Sequence, residues 1–270
     1  MKDFVGGLTE GGWTLFVGWI LPGAIGVSSF AFLVLPSISY LPILEQLVGL
    51  SFTERITIIG LASLLIGLCL SALQTQLYRL AEGYIWPSRI RASGRRRQLK
   101  RYQELIKKAD AADDDSLETA LLEEKIGRFP PNSSQGDIAP TALGNSIRSL
   151  ETYAWNRWKL DSQSLWGEVL ASAPEYLRDE QSRARAAVDF FVASAAVCLL
   201  YFLAALLAMF AKGAAHLIVG SSAVISIALV FPLYRGAITA TDHWRLTTRA
   251  LVNMSRLSLL RSLGCAYQTI

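Results

Sequence analysis

Four stretches of this chain contain no charged residue, and each is long enough, or nearly so, to cross a bilayer. They run from Gly11 to Leu44, Ile56 to Leu77, Phe190 to Ala211 and Leu217 to Tyr234. About 20 apolar residues of helix cover the roughly 30 Å of hydrocarbon in a membrane. Lipid offers backbone N–H and C=O groups no partner, so such runs fold as helices. Four buried helices of a large soluble protein are the alternative, but the rest of a 270-residue chain is too small to enclose them. Only 18% of the residues are charged, against about 25% in ordinary soluble domains.

Basic residues set the expected orientation. The segment from Arg79 to Arg185 holds 18 of the 26 Lys and Arg residues. The loop after the first run holds only Arg55, and the turn between the last two holds only Lys212. Arginines resume after the fourth run at Arg235, Arg245, Arg249, Arg256 and Arg261. Basic residues near span ends remain in the cytoplasm. The expected arrangement is a multi-pass protein of a bacterial inner membrane, with both termini and the central segment cytoplasmic. The first run is too long for a cleaved leader, lacks an arginine-rich start and is followed by a matching hairpin partner. Cys69, Cys198 and Cys265 read as free thiols, two within spans and one on the reducing side.

The fold class that follows is all-α: four transmembrane helices, with a helical cytosolic domain inserted between the second and third. Residues 1–77 form an N-terminal hairpin with spans at about 13–35 and 56–77. Residues 78–186 form the cytosolic domain, and residues 187–234 a second hairpin with spans at about 187–211 and 217–234. Residues 235–270 form a basic C-terminal helix. The stretch LPILEQLVGL, residues 41–50, could be a short helix on the outer surface. Within the central segment, Arg79–Lys108 carries ten basic and two acidic residues, and Asp110–Glu124 seven acidic and no basic ones. The two could pair as an antiparallel hairpin, or the first could offer a basic surface to anionic lipid or nucleotide. Asn145 is placed to cap a helix from Ser146 to about Trp158, and Asp161 the next. From Pro174 to Phe210 no residue breaks a helix, giving 37 residues or about 55 Å, which would join the cytosolic domain to the third span.

Chemistry is sparse. The two histidines, His216 and His243, are expected on opposite sides of the membrane, and no CxxC pair, HExxH, Walker loop or GxGxxG occurs. No catalysis, metal or cofactor is implied. Asp189, about one turn inside the third span, is expected to reach water or Arg185. The candidate residues for an anionic ligand or nucleic acid are Arg95, Arg96, Arg97, Lys100, Arg101, Arg148 and Arg157. Arginine forks match phosphate, and Tyr153, Trp155, Trp158 and Trp166 beside them could stack bases. The reading preferred for the same tryptophans is core, since Leu143, Ile147, Leu150, Ala154 and Trp158 recur at helical spacing. Gly60, Gly67 and Ser71 are small residues that permit close helix packing, within one chain or between subunits. Pro22-Gly23 marks a bend in the first span, beside a pore or as simple packing.

Two segments, LYRLAEGYIWP and PTALGNSIRSLETYAWNRWKLDSQSLW, resemble a family of bacterial four-span membrane proteins with a cytosolic PT-x-LGN, Y-x-x-x-RYGLD and LW pattern. The matching positions are Pro140, Thr141, Leu143, Gly144, Asn145, Tyr153, Arg157, Leu160, Asp161, Leu165 and Trp166. The chain has Trp158-Lys159 where the pattern has Tyr-Gly. The resemblance covers about a third of the chain and implies the four-span topology, without a settled activity. By layout alone the chain is also similar to membrane effectors of bacterial anti-phage systems, such as the Hailong channel, a cone-shaped tetramer kept closed by short DNA oligomers. What the likeness implies is a homo-oligomeric channel, tetrameric by analogy, gated through its cytosolic domain by a nucleotide or short DNA. The alternative is a non-conducting anchor that recruits a cytosolic partner protein.

Overall fold

The computed structural model describes residues 12–38, 49–112, 116–131, 137–210 and 215–262. Most of the 41–50 stretch therefore lies outside the described residues, as does Cys265. Every regular element among the described residues is a helix: α1 (Gly12–Val34), α2 (Phe52–Ala72), α3 (Gln74–Ala81), α4 (Ser88–Ala111) and α5 (Leu117–Ile126) come first. After them come α6 (Ala142–Glu151), α7 (Tyr153–Trp158), α8 (Trp166–Ala171), α9 (Glu175–Met209) and α10 (His216–Ser262). By length and apolarity α1, α2, α9 and α10 can each cross a membrane. The chain divides into two compact units. Met1–Leu77 with Ala186–Ala237 is the membrane unit, and Tyr78–Arg185 with Ile238–Ile270 is the polar unit.

In the membrane unit, helices meet where side chains are smallest. The buried residues of α2 are Ser63, Gly67 and Leu70, a single stripe at helical spacing. That stripe packs on α1. A Cβ on Gly67 would lie 2.6 Å from Ile20 Cα, and one on Gly23 would lie 3.1 Å from Gly67 N. Backbone therefore touches backbone, which only glycine allows. Pro22-Gly23 is buried at this crossing and opens the α-helical part of α1, Leu21–Ser29. The flanking pieces, Phe16–Ile20 and Phe30–Val34, are π-helical. The rest of α2 is exposed, including Ile58, Leu61, Leu65 and Leu68. In a bilayer such a surface faces lipid, which is as apolar as leucine itself. A second cluster joins Val34 to Tyr201, Ala205, Ala208, Val219 and Ala223.

The polar unit is organised around the loop before α6. Thr141 caps α6 by accepting from Gly144 N–H at 3.1 Å. Asn145 is 1% exposed and lies inside the helix, not at its start as the sequence suggested. Its Oδ1 accepts from Ala139 N–H at 2.8 Å, and its Nδ2 donates to the carbonyls of Thr141 at 2.9 Å and Ala139 at 3.2 Å. Asparagine is favoured at caps because it bonds nearby backbone; here it applies that ability from the second turn. Gly83, at φ 82°, brings the turn after α3 against Pro140 and Thr141. On the other side, a Cβ on Gly94 would lie 2.7 Å from Pro140 O. The two sequence segments singled out for their resemblance thus form one packed structural knot.

Three further differences from the sequence reading have local causes. The expected helix from Ser146 to Trp158 starts earlier, at Ala142, and is divided at Thr152 into α6 and α7. Lys159 closes α7 in the left-handed region at φ 54°, a conformation that favours glycine. Asp161 instead ties a turn, accepting from Gln163 N–H and Ser164 N–H at 3.2 Å and from Ser164 Oγ at 2.7 Å. Those bonds, Ser164 first, hold its carboxyl below the usual range. Last, the fourth apolar run and the basic C-terminal stretch are one helix of 47 residues. Pro232 lies within it without ending it, as membrane helices tolerate.

Candidate functional site

The arginines of α4 form no enclosed site. Arg96, Arg97, Lys100 and Arg101 are exposed, and Arg95 is half-buried with its Nε lacking a partner. Lys100 reaches Glu104, one turn on, at 3.9 Å. α4 packs against α5, but no ion pair among the described residues joins the basic helix to the acidic one. Arg148 stands near the start of α4, bonded to Tyr84, whose carbonyl accepts from Arg91 at 3.2 Å. Arg157 belongs to a different group.

That group is aromatic and basic, and α10 supplies half of it. The Arg256 guanidinium lies 3.5 Å from the centroid of Trp158, and Arg157 lies 5.4 Å from the same ring. Arg249 covers Tyr153 at 4.9 Å and Lys159 approaches Trp155 at 5.7 Å. Asn253 Oδ1 accepts from both Trp158 Nε1 at 2.8 Å and Tyr153 OH at 3.0 Å. Trp155 is 54% exposed and Trp158 38%, so neither is core, and Trp158 leaves the stripe expected from its spacing. Leu143, Ile147 and Ala154 are buried on it. The stripe fails at Trp158, the last residue of α7 before the left-handed Lys159, although Ala154 earlier in α7 keeps to it.

A cavity of about 270 Å³ opens in the polar unit between α6, α8, α9, α10 and the Asp161 turn. Ser162, Gln181 and Thr248 are its buried wall residues, and Trp166 and Trp244 are half-buried. Glu151, Gln163 and Arg185 are exposed. Arg185 lies 5.9 Å from the centroid of the Trp244 ring. Trp244 Nε1 and Thr248 Oγ1 are buried without any hydrogen-bond partner. Sequence reasoning flagged Arg185 and Trp166 for other reasons, but nothing local connects five separate elements into one wall.

Next to the cavity, Glu82 has its carboxyl raised to about 7, first by burial and then by the charge of Glu151, against the opposing pull of Arg79. Elsewhere in the unit, Arg128 grips Asp242 with two bonds, Nε to Oδ1 at 3.1 Å and Nη2 to Oδ2 at 2.7 Å. Arg245, 6% exposed, adds Nη2 at 3.4 Å from Asp242 Oδ1.

In the membrane unit, Asp189 is 2% exposed and accepts from Gln74 Nε2 at 3.4 Å. It packs where a Cβ on Gly18 would lie 2.9 Å from its own Cβ, so it is enclosed by protein and closed to water, one of the two partners the sequence reading gave it. Gly67 packs inside the chain, whereas Gly60 is exposed with no neighbour within 4 Å; Ser71 is half-buried. Cys69 and Cys198 are free thiols. A smaller cavity of about 180 Å³ lies beside Tyr201, Ser222 and Ser226. Among the described residues no group of acids, histidines and cysteines is placed to hold a metal ion. No family model matches the chain, and no curated protein or solved structure matches it either.

Proposed function

We propose that this protein is a homo-oligomeric channel of a bacterial inner membrane, gated through its polar unit, and that it acts as an effector in anti-phage defence. The observation that carries the gating is continuity of helix. α9 and α10 each contribute residues to both units without a break. An event that moves their polar halves is therefore applied directly to two apolar segments. Assembly of Tyr78–Arg185 with residues after Ala237 into one unit supports two hairpins that begin and end on the same face. The basic excess of that unit supports the cytoplasmic face. The defence role rests on similarity of layout to known membrane effectors.

Ion flux through the purified protein in liposomes tests the reading, together with light scattering for subunit number. Flux from a monodisperse oligomer is the expected result. A monomer with no conductance removes it, and leaves the anchor reading. That second reading draws on the exposed aromatic face at Trp155 and Trp158, which a partner protein could cover. A periplasm-only reporter fused after Leu47 should be active and one after Gly136 silent; the reverse pattern overturns the orientation.

A further inference from the structure

The cavity between α6, α8, α9 and α10 has what the arginines of α4 lack: a concave wall drawn from several elements, with two unsatisfied polar atoms on residues that line it. Its wall offers two indoles, two carboxamides at Gln163 and Gln181, the hydroxyls of Ser162 and Thr248, and one charge of each sign. Trp244 Nε1 is a donor only, and Thr248 Oγ1 both donates and accepts. Both atoms are buried without partners. Buried polar groups are almost always paired, so each such atom calls for an explanation.

Size and charge narrow the occupant. An apolar cavity of about 150 Å³ holds benzene, and drug-sized ligands occupy about 300–1,000 Å³. At about 270 Å³ the space suits a molecule of one or two rings. Glu151 and Arg185 are the charged members of the wall, so no excess positive potential is available to hold a polyphosphate. Aromatic walls favour a flat π-system. Carboxamides pair side by side with an edge that carries a donor next to an acceptor, as they do with adenine.

We propose that this cavity binds a small uncharged nitrogen heterocycle of nucleobase or nucleoside size, held by Trp244, Thr248 and Gln181. Occupancy joins α9, through Gln181 and Arg185, to α10, through Trp244 and Thr248. Binding here is independent of whether the chain conducts ions, so calorimetry and the flux experiment fail separately.

The test is isothermal titration calorimetry of the full chain in neutral-lipid nanodiscs. The probes are adenine, hypoxanthine, cytosine and uracil, their ribonucleosides, and ATP as the charged comparison. At least one uncharged probe is expected to bind with Kd below about 1 mM, where binding free energy exceeds about 4 kcal/mol. Trp244→Phe keeps a ring but removes the N–H, and should weaken that probe about tenfold. Thr248→Val is nearly isosteric and breaks no existing bond of Oγ1, so the protein should fold and lose several-fold in affinity. The proposal is overturned if no uncharged probe binds at 10 mM, which is roughly ten times the ceiling set above. It is also overturned if ATP binds more tightly than adenosine, or if binding is unchanged in both variants.

Discussion

The membrane unit and the polar unit are held together by opposite means. At the α1–α2 crossing, contact comes from what is missing: Gly23 and Gly67 have no side chain, and backbones approach until a single Cβ would collide. In the polar unit, Gly94 and Gly144 also approach backbone, but bonding groups are added: Asn145 ties three backbone atoms, and Asp242 holds Arg128 and Arg245. The difference follows from the surroundings. Lipid gives no hydrophobic reward for burying one leucine against another, so close van der Waals fit dominates. In water the apolar reward is available, and fixed polar bonds are needed to select one packing.

Substitutions can break each half of this contrast. The largest effect is expected from Gly67→Leu, which must push Ile20 backbone away and should cost about 4 kcal/mol in the membrane unit. Gly60→Leu, on the same helix with open space around it, should change stability by less than about 0.5 kcal/mol. Thermal unfolding of both variants in one detergent checks the pair; equal losses would dissolve the distinction between the two glycines. Next comes Asp242→Ala, which leaves the buried Arg245 guanidinium uncompensated and should cost about 3 kcal/mol. Denaturant unfolding followed by tryptophan fluorescence measures it, and a neutral result would mean that water already shields the arginines.

Glu82 allows the contrast to be sharpened by pH. Its carboxyl titrates near 7 in the folded protein and near 4.5 when unfolded, so between those values only the folded state keeps the proton. This contribution is complete below about 4.5 and is lost as pH rises to about 7, a decline of about 3 kcal/mol. Glu82→Gln should flatten that part of the stability profile; an unchanged slope assigns it to another group. A smaller effect is expected at Lys159, whose φ of 54° is uncomfortable for a residue with a side chain. Lys159→Gly should raise stability by about 1 kcal/mol, read as a higher midpoint in the same denaturant series.

How much of this was legible in the sequence depended on whether the signal was local. The apolar runs announce themselves because lipid tolerates no interruption, and the long α9 follows from an absence of breakers after Pro174. The same logic applied to α10 and was obscured by Pro232 and Arg235, which resemble the end of a span. Asn145 has the residue type of a cap, and only packing reveals it as a core anchor. Trp158 lies on the right spacing for a core, yet α7 ends there and leaves its ring partly exposed. The cavity was not legible, since its wall is drawn from residues 150 to 248 and exists only once five elements have met.

The unbroken α10 also has a consequence for the order in which the protein is made. Leu251, Val252 and Leu259 complete a core with Ala154, Val169 and Ala173, but the ribosome delivers them after the fourth apolar run. Until then the polar unit lacks its closing piece, with the faces of α7 and α8 uncovered. If that last run enters the membrane the wrong way round, the closing piece emerges on the far side and the core stays open. On the proposed topology, the polar unit closes only when the last run inserts the right way round.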